Sequence, residues 1–234
     1  MNSATSSSTA APKRVSPFYQ ALSWLVVLLV PIVLTMTVVR LMLSPLYINV
    51  EYRIPGFPID YYGFTQADRL LYGNIARQYL LNSADISFIG DLRFPNGQSM
   101  YNERELKHMV DVKNVIKVAL NVWIVSLIAL IGLGIWAWLG KWWPVYTLGL
   151  GRGGWLSVVL LGVVLLLVLL SFGLVFVAFH DVFFQPGTWT FEYSDTLIRL
   201  FPERFWRDIF LAVGGLTLLG GLALGLTFGR KTAK

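Results

Sequence analysis

The sequence contains no cysteine, only two histidines, and few charges: Asp, Glu, Lys and Arg together make up 14% of the 234 residues. Each scarcity excludes something. Without cysteine there are no disulfides, no thiolate nucleophile and no lipid attached to a cysteine of this chain. With so little charge, and with 56% hydrophobic residues, the composition does not fit an ordinary soluble domain. The charges are also absent in long blocks. Residues 15–39, 118–140, 153–179 and 209–229 carry none. Each block reaches or passes the roughly 20 residues that cross a bilayer core as a helix. None shows the polar face of a soluble core helix. The expected fold class is an all-α polytopic membrane protein with four transmembrane helices.

The first apolar block is longer than a signal-peptide core and no small-x-small cleavage pattern follows it, so it reads as a retained anchor. Pro31 in its middle is a candidate kink. Orientation follows from the basic residues in short flanks. Lys13 and Arg14 precede the first span, Lys141 and Arg152 lie between the second and third, and Arg230, Lys231 and Lys234 follow the fourth. These flanks carry no acids and are expected in the cytoplasm. Trp136, Trp138, Trp142, Trp143 and Trp155 crowd the same boundary as an aromatic belt. The expected layout is a disordered cytoplasmic tail over 1–17 and a first span over 18–43. An extracytoplasmic segment over 44–112 precedes a second span over 113–139 and a cytoplasmic link over 140–152. A third span over 153–179, an outer interfacial loop over 180–206, a fourth span over 207–229 and a tail over 230–234 complete it. The net charge of +6 is a mark of topology and of contact with anionic membrane lipids, with no nucleic-acid role.

Within 44–112, "SPLYINVEYRIPGFPIDYYGF" is expected to be extended or turning, because Pro55, Gly56 and Pro58 oppose a helix. "TQADRLLYGNIARQYLLNS" predicts an amphipathic helix, with Thr65 as N-cap, Asp68 three later, and Leu71, Ile75 and Tyr79 on one face. "ADISFIGDLRFPNGQSMYN" predicts short strands or turns around Pro95-Asn96-Gly97. Helical pattern resumes near Asn102 and runs on into the second span.

The two histidines stand at corresponding places. His108 precedes the second span and His180 follows the third, so both belong at the outer ends of adjacent antiparallel helices. Glu105 and Asp111 flank His108 at helical spacing, where a carboxylate can fix an imidazole tautomer and raise its basicity. The plainer alternatives are two unrelated interfacial histidines and a solvated, dipole-matched helix start. Counting outward from Leu139 leaves His108 some 15 Å above the apolar boundary. A tilt, or Lys113 and Lys117 lining a wet cleft or snorkelling, would close that gap. Two histidines with Glu105 or Asp111 could also bind zinc, but no H-E-x-x-H spacing is present. A channel is disfavoured, since no span carries a charge ladder or a broken-helix pair. A non-catalytic accessory or receptor subunit, using its outer segment for protein contacts, is the alternative from another class.

"YNERELKHMVDVK" (Tyr101 to Lys113), "FHDVFF" (Phe179 to Phe184) and "TLIRLFPERFWRD" (Thr196 to Asp208) resemble the motifs of the bacterial lipoprotein intramolecular transacylases, four-span membrane proteins. The resemblance implies an O-to-N acyltransferase acting on diacylglyceryl-modified lipoproteins. The sn-2 acyl chain would move from glycerol oxygen to the amine of the N-terminal cysteine, leaving a lyso-form lipoprotein. It implies that His108 and His180 are the catalytic pair, with no cofactor and no metal. Imidazole, with an ordinary pKa near 6.5, can take a proton from the amine and return one to the leaving oxygen. Tyr101, Asn102 and Arg199 are candidate donors to the oxyanion, and Glu105 and Asp111 are candidate orienters of His108. Phe183, Phe184, Trp189, Phe201, Phe205 and Trp206 could wall an acyl-chain site or form an aromatic belt. Gly221, Gly225 and Gly229 read as a close-packing helix face. Arg40 most simply snorkels toward the outer boundary. The sequence sets no oligomeric state.

Overall fold

A computed structural model describes residues 16–229. The readings for residues 1–15, and for the basic residues Arg230, Lys231 and Lys234, lie outside the described residues. In chain order the helices are α1 (Pro17–Met42), α2 (Pro45–Glu51), α3 (Gln66–Leu81), α4 (Ser87–Gly90), α5 (Glu103–Leu139), α6 (Trp143–Phe183), α7 (Thr196–Leu200) and α8 (Glu203–Phe228). The four longest, α1, α5, α6 and α8, each have the length and hydropathy of a membrane span. Their apolar side chains point outward as well as inward: Leu169 and Leu170 on α6 are 71% and 73% exposed. Such a surface suits hydrocarbon, where the helical backbone satisfies its own polar groups.

Helix α6 is the central element, and glycine explains why. A Cβ placed on Gly154 would lie 2.6 Å from the Gly221 carbonyl oxygen and 2.7 Å from the Gly225 nitrogen. One on Gly151 would lie 2.6 Å from the Gly229 nitrogen. On the other side, one on Gly153 would lie 2.7 Å from Cβ of Val30 in α1. Only glycine lets the three backbones come this close, and between helices in lipid such close packing is a main source of cohesion. The glycine face read on α8 is therefore present, and its mate on α6 crosses the expected boundary, with Gly151 in the expected cytoplasmic link and Gly153 and Gly154 in the expected third span. That run is helical: only Gly140–Trp142 join α5 to α6, with Lys141 in the left-handed region at φ 58°. Trp142 closes this end, buried between Tyr19, Trp136 and Tyr146.

At the other end of the bundle, α2–α4 and α7 form a cap on the first turns of α5. Here the backbone partly departs from expectation. Helix α2 forms because Pro45 occupies its first turn, where a missing N–H costs nothing; the Pro/Gly punctuation acts only after Glu51. The stretch expected as strands contains α4, followed by a turn with one antiparallel bridge, Arg93 to Ser99. Helix α3 begins as expected, with Thr65 and Asp68 in a reciprocal capping box. The cap has its own core, with Ala76, Tyr79, Ile89, Met100, Tyr101, Met109, Leu197 and Leu200 buried together. Helix α5, at about 1.5 Å per residue, is on the order of 55 Å long, so it serves both as span and as the post on which this cap is built. Lys113 neither lines a cleft nor snorkels. Its Nζ donates to Asn82 Oδ1 (3.1 Å) and the Ala84 carbonyl (2.6 Å) and lies 3.9 Å from the Tyr79 ring centroid, fastening the end of α3 to α5.

Candidate active site

Asn102 and Glu105 start α5 with a second capping box: Asn102 N–H donates to Glu105 Oε2 (2.8 Å) and Glu105 N–H to Asn102 Oδ1 (3.0 Å). The other Glu105 oxygen accepts from Leu197 N–H (2.7 Å), tying α7 to the top of α5. Asp195 adds a second tie, accepting from Asn102 Nδ2 and Arg104 Nη2 (3.0 Å each) and from Glu192 N–H (2.9 Å). The side chain of Thr196 donates to the Met100 carbonyl. The segment after α6 is thus anchored against α5 just above His108.

The third span bends to meet it. Ser171 interrupts α6 with φ −160° and ψ 89°, so the last turns, which carry His180, take their own direction. The two imidazoles face each other, with ring centroids 6.1 Å apart and planes 21° from parallel. His108 is 8% exposed and His180 9%. Aromatic rings surround them. Phe184 and Phe191 stand edge-on to His108 at 4.9 and 5.3 Å. Phe176 and Trp189 lie 4.1 and 4.7 Å from His180. His180 Nδ1 is 2.8 Å from the Phe176 carbonyl oxygen. A carbonyl only accepts, so Nδ1 carries the proton and the lone pair of the neutral ring sits on Nε2. His108 Nδ1 is buried without a partner.

The other site candidates fall elsewhere. Glu105 has both oxygens on backbone N–H groups, and Asp111 makes no hydrogen bond or ion pair with His108 among the described residues, so the histidine is enclosed by aromatics rather than oriented by a carboxylate. Arg199 is committed as well. It pairs with buried Asp60 at 3.1 Å, donates to the Tyr62 carbonyl at 3.1 Å, and lies 3.8 Å from the Phe64 ring centroid. It pins α7 to the 60–64 loop through Nε and Nη2 and makes no contact with either histidine among the described residues. Asn102 is occupied by the capping box and Asp195. Tyr101 Oη is buried and unpartnered, but its ring belongs to the cap core. The aromatic wall splits in two. Phe184 and Trp189 lie against His180 and Phe183 packs on neighbouring Phe179, whereas Phe201, Phe205 and Trp206 pack together, with Phe205 also against Tyr47 and Tyr52. A cavity of about 300 Å³ between Tyr52, Phe57, Asp60 and Arg69 includes neither histidine. Among the described residues no three His, Asp or Glu side chains gather as a metal site.

The family model described as "Lipoprotein intramolecular transacylase Lit" matches residues 21–206. The chain belongs to the lipoprotein intramolecular transacylase family. It is similar over its length to an uncharacterized protein of Aquifex aeolicus (strain VF5), 28% identical over 222 residues that cover 91% of this chain and 96% of the relative. Its fold is that of the membrane-integral transacylase Lit of Bacillus cereus, at a TM-score of 0.75 with 19% identity, covering 92% of this chain and 95% of the other. A second structure of that protein, with a histidine replaced by arginine, matches at a TM-score of 0.65 with 20% identity, covering 91% and 92% of the two chains. Membership of the transacylase family makes this chain a multi-pass membrane acyltransferase of lipoprotein modification.

Of what surrounds the site, sequence reasoning missed the anchoring role of Asp195 and the contacts of Phe176 and Phe191 with the histidines. Phe176 lies four residues before His180 and so on its helix face, a signal that was there to read. Phe191 and Asp195 lie in a loop without periodicity and gave none.

Proposed function

We propose that the protein transfers the sn-2 acyl chain of a diacylglyceryl lipoprotein to the α-amine of its N-terminal cysteine at the extracytoplasmic side of the membrane, with His108 and His180 as acid and base. The observation that carries this reading is the facing pair of buried imidazoles in a chain of this family. The amine nitrogen attacks the ester carbonyl carbon, the bond from that carbon to the glyceryl oxygen breaks, and an amide and a free hydroxyl result. His180 suits the base, because its Nδ1 proton is held on Phe176 and Nε2 is left to accept the amine proton. The proton taken by His180 passes across the pair to His108 and from it to the glyceryl oxygen, so that both rings end neutral as they began. Donor and acceptor belong to one molecule, so no enzyme nucleophile is needed. Holding amine and ester in contact can account for several kcal/mol of the barrier reduction, out of roughly 7–11 available from proximity.

The test is expression in a bacterium that makes only diacyl lipoproteins, followed by mass spectrometry of the modified N-terminus. The wild-type chain is expected to give N-acyl, lyso-form lipoprotein. His108→Ala and His180→Ala should each reduce transfer by about 10²-fold or more. The double variant should be little worse than either, because residues acting as one unit are not additive. Alanine variants that keep near wild-type transfer would reject the pair and leave a non-catalytic accessory role.

A further inference from the structure

Acyl transfer to an amine passes through a tetrahedral centre whose carbonyl oxygen becomes negative, and that oxygen needs a hydrogen-bond donor. Asn102 is tied to Glu105 and Asp195, Arg199 to Asp60 and Tyr62, and Tyr101 belongs to the cap core; among the described residues none of the three has a hydrogen bond or ring contact with either imidazole. Trp189 does have such a contact and carries a donor. The indole of Trp189 lies against His180, with centroids 4.7 Å apart and planes 37° from parallel, and its Nε1 is buried with no hydrogen-bond partner. Indole nitrogen only donates. A buried N–H without a partner is unfavourable, so its retention in the site asks for a partner that arrives with the substrate.

The local sequence sets the ring in place. Phe184 ends α6 in extended conformation. Gln185-Pro186-Gly187-Thr188 then make a turn, with Thr188 N–H donating to the Gln185 carbonyl (3.2 Å) and Gly187 at φ 81°. Proline second and glycine third, with a positive φ at the glycine, is the pattern of a type II turn. It sends the chain back over the end of α6 and brings Trp189 onto His180. Six residues later Asp195 fixes the returning chain to Asn102 and Arg104. The segment is held on both sides of the tryptophan.

We propose that Trp189 is a catalytic residue: its Nε1–H donates to the oxyanion formed at the substrate's ester carbonyl, while its ring keeps His180 in register. This rests on the acyl transfer proposed above. It separates the groups that move protons, the two histidines, from the group that stabilises charge.

The experiment uses the full-length protein and a synthetic diacylglyceryl lipopeptide. Two variants are compared with wild type: Trp189→Phe, and a replacement of Trp189 by 3-benzothienylalanine, which keeps the bicyclic ring but has sulfur where the N–H was. The second variant preserves the packing on His180, so folding is not at issue; a melting curve checks it. Loss of one oxyanion donor typically lowers kcat by about 10²–10³-fold. Both variants are expected to show such a loss, with KM changed less than about threefold, since the bond forms in the transition state. If the benzothienyl variant retains transfer within about tenfold of wild type, the N–H is not the donor and the proposal fails, whatever Trp189→Phe does. If wild type itself transfers no acyl chain, the reading beneath it fails too; active wild type with inactive histidine variants separates the two cases.

Discussion

Glu105 is 1% exposed and holds three segments together through two backbone N–H groups. Hydrogen bonds to a charged group contribute about 1.5–3 kcal/mol each. Glu105→Ala should therefore lower the melting temperature clearly and loosen α7, and Glu105→Gln should do so less. Asp111→Asn should leave both stability and transfer within about twofold of wild type, as expected for a residue away from such features. If Asp111→Asn instead abolished activity, His108 would have a carboxylate partner after all. A different residue gives the pH dependence. Glu51 is buried, with Oε1 unpartnered, and burial followed by the charge of Asp208 pushes its carboxyl up to about 7. A raised folded-state pKa means the folded protein holds the proton more tightly. Its favourable contribution is present below the ordinary value near 4.3 and is lost as pH rises toward 7. The melting temperature should fall between about pH 5 and pH 8, and Glu51→Gln should flatten that fall. Asp60 acts in the opposite sense. Burial alone would raise it, but hydrogen bonds from Arg199 and Phe64 hold it below its usual value, so its contribution is lost only in acid.

Helices are where the sequence spoke most clearly, and its errors there share one cause. The four charge-free runs and the Thr65 capping box are local signals, and each formed the expected element. Glycine and proline were misjudged because their meaning depends on what lies opposite. Gly149 and Gly151 were placed in a link between spans, yet they stay helical where α1 and the end of α8 come into contact. Pro45 starts a helix at the head of a stretch expected to be extended because of Pro55, Gly56 and Pro58. The candidate site was legible to the extent of its two histidines; of what surrounds them, the Asn102–Glu105 capping box has a three-residue spacing that could have been read, whereas Leu197 on Glu105, Asp195 on Asn102 and Asp60 on Arg199 lie on other elements and leave no trace in spacing. The glycine seam can be tested by adding one carbon. Gly154→Ala puts a methyl 2.6 Å from the Gly221 carbonyl oxygen, backbone that cannot yield without moving a helix. Overpacking of this kind costs about 1–3 kcal/mol, so the variant should unfold at lower temperature. Gly215→Ala on α8 meets nothing within 4 Å and should not destabilise.

For the molecule as a whole, the absence of native cysteine gives a clean background for labelling. Single cysteines at Ser83 and Thr190, both exposed, should react with a membrane-impermeant maleimide added to intact cells, and one at Lys141 should not. Labelling at Lys141 alone would invert the orientation proposed here and remove the histidines from an extracytoplasmic substrate. The length of α5 carries one more consequence. From Leu139 to His108 the helix rises about 46 Å, against a hydrocarbon core of about 30 Å. Even with tilt, the reaction proposed at the histidines requires the ester to be lifted on the order of 10 Å out of the leaflet, and each methylene drawn from the oil costs about 0.8 kcal/mol unless something apolar receives it. Phe172, Phe176, Phe179 and Phe183 line the approach along α6, with Phe210 packed against two of them. The enzyme then works as a ledge of fixed height above a floor whose level depends on the lipid. Thicker bilayers raise the floor toward the ledge, and the same protein should turn over faster in them than in thin ones.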